Sequence, residues 1–146
     1  MSGSMKPDAN ILGTIHRAVQ RPRVLIVEDN YLIAVEVGEI LKDYGCDVVG
    51  PEVTVASALK ILGCAKIDIA LVDFILKDGS AERLLDDLNK RNIPSALCTG
   101  ADLAALYPHT PLLTKPFATK DVITVVNSLM AARLAPGSSF PASLPG

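Results

Sequence analysis

Five polar residues stand directly after short apolar runs of the sequence, at points where buried strands would end. They are Glu28, Asp29, Asp73, Thr99 and Lys115. Carboxylates held a few ångströms apart repel one another unless they are protonated or bridged by a cation. Mg²⁺ takes oxygen ligands, so it removes that repulsion and leaves room for water and a phosphoryl group. An ammonium and a hydroxyl can contact phosphoryl oxygens from the other side, so these residue types predict metal-dependent phosphoryl chemistry.

The elements that must bring these side chains together alternate along the chain. Apolar runs suited to strands occupy residues 24–27, 47–51, 67–72, 94–98 and 111–114. Between them, apolar residues recur at helical spacing after the capping residues Asn30, Thr54 and Ser80, and Thr119 opens the last helix. This alternation predicts a doubly wound α/β fold with a parallel sheet, whose ligands bind beyond the carboxyl ends of the strands. The acidic pair after the first strand, where a glycine-rich loop would stand, excludes a dinucleotide-binding enzyme.

Composition narrows the class of protein further. The chain has 146 residues, of which 49% are hydrophobic, and 14 basic side chains against 16 acidic ones. That balance disfavours binding to nucleic acid or to an anionic membrane surface. Three cysteines without a Cys-x-x-Cys spacing, at positions 46, 64 and 98, are interpreted as reduced core residues of a cytoplasmic protein.

The predicted domain occupies residues 23–134. Residues 1–22 lack a sustained period and are expected to form an extension that is partly disordered. Residues 135–146 are rich in Pro, Gly and Ser, which predicts a disordered tail. We therefore expect a stand-alone domain without a DNA-binding or catalytic output domain.

Four motifs in order carry a resemblance to a known family. They are Val-Glu-Asp-Asn at 27–30, Val-Asp-Phe-Ile-Leu-Lys-Asp-Gly at 72–79, Thr-Gly at 99–100 and Lys-Pro-Phe at 115–117. Together they resemble the receiver domain of two-component response regulators over residues 23–134. The resemblance implies a five-stranded parallel sheet in the order 2-1-3-4-5, the flavodoxin-like receiver fold.

The resemblance also implies roles for the acidic residues. Asp73 would accept a phosphoryl group from a histidine kinase or a phosphotransfer protein. Glu28 and Asp29 would hold Mg²⁺ beside it, together with the backbone carbonyl of Ile75. The protein would not be an enzyme in the ordinary sense, because it would catalyse only its own aspartyl phosphorylation and dephosphorylation.

The remaining motif residues would respond to the phosphoryl group. By the same resemblance, Thr99 and Lys115 would contact its oxygens, and Pro116 would follow Lys115 through a cis peptide bond. The phosphorylation would change the conformation and so signal to a downstream protein. Two alternatives stay open: a receiver-like docking module that is never phosphorylated, and a phosphate sink in a phosphorelay.

Two features depart from the usual receiver pattern. Few residues lie between the fourth and fifth strands, so the fourth helix, at about 102–106, should be shortened to a turn or two. Leu112 stands where receivers usually carry an aromatic switch residue. With Thr-Gly at 99–100 and Asp-Gly-Ser at 78–80, these features are similar to an alphaproteobacterial subgroup that works with HWE-type histidine kinases.

Overall fold

The computed structural model describes residues 21–100 and 103–134 of the chain. The proposed tail and most of the proposed extension lie outside these residues. The strands are β1 (Arg23–Val27), β2 (Asp47–Glu52), β3 (Ile69–Asp73), β4 (Ser95–Thr99) and β5 (Leu112–Thr114). The helices are α1 (Tyr31–Asp43), α2 (Val55–Cys64), α3 (Glu82–Lys90) and α4 (Thr119–Leu134). A small antiparallel hairpin, made of Ile75–Leu76 and Gly79–Ser80, follows β3.

The five strands form one parallel sheet in the order β2-β1-β3-β4-β5. This confirms both the doubly wound α/β fold and the expected strand order. The register pairs Asp73 of β3 with Cys98 of β4, and Thr99 with Thr114 of β5. The carboxyl ends of the central strands therefore lie side by side along one edge of the sheet.

Both faces of the sheet are covered, as its apolar central strands require. Alternate residues of β1 point to opposite faces: Val24 and Ile26 pack with residues of α1 and α4. Leu25 and Val27 pack instead with residues of α2 and α3. Because β1 and β3 are buried on both sides, the polar residues at their ends are held on a rigid support.

The predicted helix starts are mostly correct. The side chain of Asn30 accepts a hydrogen bond from the amide of Ile33, and that of Thr54 accepts one from the amide of Ser57. Gly45, with φ of +97°, follows the C-cap residue Tyr44 of α1. Ser80 is not a cap: α3 begins at Glu82, and no side chain caps it. The reason is that Ser80 pairs with Ile75 in the hairpin instead.

The segment between β4 and β5 is shorter than a helix. The carbonyl of Leu103 accepts hydrogen bonds from the amides of Leu106 and Tyr107, which closes a single turn. The expected short helix is thus reduced to this turn over its described part, while Asp102 lies outside the described residues. Pro108 follows at once and cannot donate the next helical hydrogen bond.

Two of the three cysteines lie in the core, and the prediction is wrong for the third. Cys46 and Cys98 are buried, whereas Cys64 is exposed at the end of α2. The buried stripe of α2 consists of Val55, Ala58 and Leu62, and position 64 does not continue it. Over the ranges 21–100 and 103–134, no helix has both the length and the apolar character to cross a membrane.

Candidate functional site

The sequence-predicted residues meet at the carboxyl edge of the sheet. Glu28 follows β1, Asp73 ends β3, Thr99 ends β4 and Lys115 follows β5. Since parallel strands present their carboxyl ends at one edge, four strands deliver their polar residues to one place. Asp29 lies next to Glu28 and joins the same cluster.

Three carboxylates form the acidic part of the site. One oxygen of each of Glu28, Asp29 and Asp73 lies within 4.8 Å of the other two. Glu28 is 4% exposed and Asp73 is 9% exposed, so the strand ends hold two of the three carboxylates away from bulk water. An all-oxygen, strongly negative donor set of this size suits a hard divalent cation such as Mg²⁺.

Lys115 is the cation that faces the cluster. Its Nζ lies 2.9 Å from Oε1 of Glu28 and 3.3 Å from Oδ2 of Asp73. Burial lowers the pKa of Lys115, but the hydrogen bond to Glu28 and the charges of both carboxylates outweigh it and raise that pKa. The lysine therefore stays protonated and offsets one of three negative charges.

Glu28 is a carboxylate whose pKa is raised above its ordinary value. Burial is the largest cause that raises its pKa, and the charge of Asp73 raises it as well. The hydrogen bonds from Lys115 and from the Asn30 amide, the latter at 3.0 Å to Oε2, act in the opposite direction. Asn30 also caps α1, so the start of that helix helps to hold the Glu28 carboxylate in place.

Thr99 and Lys115 are joined through the backbone. The amide of Lys115 donates a 2.8 Å hydrogen bond to the carbonyl of Thr99, and Thr99 is buried. The peptide bond between Lys115 and Pro116 is cis, as the resemblance implied. A displacement of either residue would therefore be passed to the other through the end of β5.

Ile75 lies beside the Asp73 carboxylate. Its amide donates a long hydrogen bond of 3.4 Å to Oδ1 of Asp73. Its side chain is 62% exposed, so an apolar group stands in solvent next to the site. The amide of Ala81 donates to the carbonyl of Phe74 at 2.8 Å and closes the base of the hairpin that Ile75 begins.

Sequence reasoning missed two neighbours of the site. The Asp-Gly pair at 78–79 is typical of a turn, but the Asp78 carboxylate also accepts hydrogen bonds from the amides of Val55 and Ala56 at the start of α2. Cys98, beside Asp73 in the sheet register, has a thiol whose pKa burial raises to about 12, with a smaller contribution from Glu28. The turn motif signalled the place of Asp78, but nothing local signals a partner so far along the chain.

Comparisons with known proteins give one consistent result. No family model matches the chain, and no curated protein does either. The solution structure of the PhyR response regulator REC domain from Erythrobacter litoralis is 27% identical, with a TM-score of 0.73, and the match covers 83% of this chain and 98% of that one. SdrG from Sphingomonas melonis Fr1 is 32% identical with a TM-score of 0.68, over 75% of this chain and 97% of its own. The response regulator PhyR from Brucella abortus is 28% identical with a TM-score of 0.67, over 82% of this chain and 53% of that longer one.

Proposed function

Because the chain belongs to the response-regulator receiver domains, we propose that it carries a signal in a two-component system by accepting a phosphoryl group on Asp73. The observation that carries the proposal is the surroundings of this one carboxylate. Asp73 shares the cluster with two other carboxylates, and the Lys115 ammonium lies 3.3 Å from its Oδ2. Such a group can be approached by a phosphoryl donor only when the local negative charge is neutralised.

The acidic cluster fits Mg²⁺, and we assign Glu28, Asp29 and Asp73 as its side-chain ligands. The backbone carbonyl of Ile75 completes the proposed protein ligands. A bound Mg²⁺ would neutralise the carboxylates and the phosphoryl oxygens and so lower the repulsion between them. Lys115 alone offsets one negative charge, which is why we expect the transfer to depend on the metal.

In the proposed transfer, a carboxylate oxygen of Asp73 forms a bond to phosphorus while the donor's bond to phosphorus breaks. With a phosphohistidine donor, the P–N bond breaks and the released imidazole nitrogen takes up one proton from solvent. With acetyl phosphate, the P–O bond breaks and acetate leaves. The Lys115 ammonium and the Thr99 hydroxyl then contact the new phosphoryl oxygens.

We propose a histidine kinase or a phosphotransfer protein as the donor. The Thr-Gly pair at 99–100 and the Asp-Gly-Ser sequence at 78–80 support an HWE-type kinase. Output passes to a downstream protein through the change in conformation. Use as a phosphate sink is the second outcome open to a phosphorylated receiver domain, and it requires no downstream partner.

The test is mass spectrometry of the full chain after incubation with acetyl phosphate and Mg²⁺. We expect a gain of one phosphoryl group on the wild type and none on Asp73→Asn or after chelation of the metal. Asp86→Asn, an exposed aspartate of α3, is the matched control and should be labelled normally. Full labelling of Asp73→Asn would refute the assignment, and an unlabelled wild type would favour the docking-module alternative.

A further inference from the structure

Asp78 connects two parts of the chain that the sequence keeps apart. It lies in the turn of the hairpin formed by Ile75–Leu76 and Gly79–Ser80. Its Oδ1 accepts a 2.7 Å hydrogen bond from the Val55 amide, and its Oδ2 accepts one of 3.1 Å from the Ala56 amide. These are first-turn amides of α2, which have no partners within the helix.

The start of α2 therefore has two caps of different origin. Thr54 is the local cap, and its hydroxyl oxygen accepts from the Ser57 amide at 3.0 Å. Asp78 satisfies the two preceding amides from outside the helix. Because Asp78 belongs to the hairpin, its two hydrogen bonds also fix the hairpin to α2.

The other end of the hairpin reaches the acidic site. Its first residue, Ile75, donates its amide to Oδ1 of Asp73. Within residues 75–80 only the Leu76 side chain is buried. The strand pairing and the bond from the Ala81 amide to the Phe74 carbonyl hold the hairpin together, and the two hydrogen bonds of Asp78 attach its turn to α2.

We propose that Asp78 is a positioning residue for the Mg²⁺ site: by clamping the hairpin to the start of α2, it fixes the residue 75 backbone against Asp73. The inference rests on the proposed function, because residue 75 is a proposed ligand of the ion. Loss of the clamp frees the hairpin and weakens binding of the metal. The carboxylates and Lys115 remain at the carboxyl ends of the sheet strands, so the chemistry of the loaded site does not change.

The variant Asp78→Ala tests this. Asp78 does not have a positive φ, so alanine fits its backbone without strain. The readout is the rate of acetyl phosphate labelling of the full chain as a function of Mg²⁺ concentration. We expect the half-saturating Mg²⁺ concentration to rise roughly tenfold, as for loss of groups that orient metal ligands. The rate at saturating Mg²⁺ should stay close to that of the wild type.

Thr54→Ala is the matched control, because it removes the other cap of the same helix without touching the hairpin. It should lower stability to urea by a similar amount and leave the half-saturating Mg²⁺ concentration unchanged. Asp78→Asn retains one acceptor oxygen but turns an N–H donor towards the second amide, so it should give a shift smaller than that of Asp78→Ala. Should Asp78→Ala fail to fold, Asp78→Ser, with a single acceptor oxygen, should give a smaller shift in the same direction.

Two results would overturn the inference. One is an unchanged Mg²⁺ dependence in Asp78→Ala or, if that variant does not fold, in Asp78→Ser. The other is an equal shift in Thr54→Ala, which would mean that the stability of α2 alone controls the site. A result that refutes the proposed function can be told apart from these two. In that case the wild type itself would take up no phosphoryl group at any Mg²⁺ concentration.

Discussion

The chemistry of the site depends on an imbalance of charge at single residues. One oxygen of each of three carboxylates lies within 4.8 Å of the other two, and Lys115 faces two of the three. Removing one partner of a buried ion pair leaves the other charge without compensation, which is more costly than the pair is stabilising. Lys115 and a bound metal ion would therefore both neutralise negative charge on the same carboxylates.

Lys115→Ala should make the protein depend on metal for stability. In the absence of Mg²⁺ we expect a loss of ~2 kcal/mol, because Glu28 and Asp73 stay buried without their cation. Saturating Mg²⁺ should recover most of that loss. Thermal unfolding of wild type and variant, with chelator and with Mg²⁺, measures both values. An equal loss of stability with chelator and with Mg²⁺ would contradict the prediction that the lysine and the metal ion neutralise the same carboxylates.

Ile75 should make the aspartyl phosphate long-lived. Water that attacks the phosphoryl group reacts faster when a polar side chain positions it, and the exposed Ile75 side chain cannot hydrogen-bond to water. Ala101, two residues after Thr99 in the sequence, also lacks a polar side chain, and it lies outside the described residues. We expect Ile75→Asn to lose its phosphoryl group several-fold faster than the wild type, followed by mass spectrometry after removal of the donor. Equal or faster loss from the wild type would show that position 75 does not control this step.

The cysteines should differ in reactivity as they differ in burial. Burial raises the pKa of Cys46 to about 11 and that of Cys98 to about 12, so neither forms the reactive thiolate near neutral pH. Cys64 is exposed. Alkylation of the native protein at pH 8 should therefore modify Cys64 alone, whereas the urea-unfolded protein should be modified at all three. Rapid labelling of native Cys98 would mean that β4 opens far more readily than its packing indicates.

At the scale of elements, the segment between β4 and β5 is the part best placed to respond to the site. Leu112 cannot turn an aromatic ring inward, so the signal needs another route. Tyr107 supplies a contact: its ring meets that of Phe74, the residue after Asp73, edge to face at 5.6 Å. Leu103 is buried, while Leu106 is 63% exposed, so this turn is held at few points.

Phosphorylation should therefore change the protection of residues 103–110. We expect beryllofluoride with Mg²⁺ to alter amide exchange there and around Lys115, because a segment held at few points shifts its population easily. Tyr107→Ala, which removes an aromatic contact of ~1 kcal/mol, should speed exchange of this segment even without beryllofluoride. A response confined to the residues of the acidic cluster would contradict this route.

At the scale of the whole molecule, the carboxyl edge and the amino edge of the sheet, where its strands end and begin, serve different purposes. The carboxyl edge carries the charged site, and the opposite edge carries an ion pair between a buried aspartate and a half-buried arginine of the last helix. Nε of Arg133, at the end of α4, lies 3.2 Å from Oδ1 of Asp68, whose side chain is 1% exposed. The other Asp68 oxygen accepts the Arg23 amide at 2.8 Å. The pair thus connects α4 to the start of the sheet, away from the phosphoryl chemistry.

Arg133→Ala should lower global stability and leave phosphorylation intact. The change leaves the Asp68 carboxylate buried without its cation, so we expect a loss of ~2–3 kcal/mol in urea unfolding. Arg21→Ala is a suitable control, since its pair with Asp47 is exposed and should cost less than about 1 kcal/mol. Acetyl phosphate labelling at saturating Mg²⁺ should be the same in both variants. A marked loss of labelling in folded Arg133→Ala would show that the two edges are coupled.

The local sequence was enough to predict the sheet, most helix boundaries and the members of the candidate site. A buried parallel strand needs apolar residues on both faces, and a helix start needs a capping side chain, so both leave signals within a few residues. Four site residues could be identified because each stands at the end of a predicted strand: Glu28, Asp73, Thr99 and Lys115. Their roles in phosphoryl transfer stay predictions, which the labelling experiments address.

Tertiary structure alone decided which partners these residues have. The packing of separate elements determines three further features: the capping of α2 by Asp78, the contact of Tyr107 with Phe74 and the exposure of Cys64. The same holds for Ser80, whose capping signal was overridden by pairing in the hairpin. A hydrogen bond between distant parts of the chain forms only after the loop between them closes, and nothing in the neighbouring residues encodes that closure. Local propensity thus determined the elements, whereas long-range packing determined the network around the acidic site.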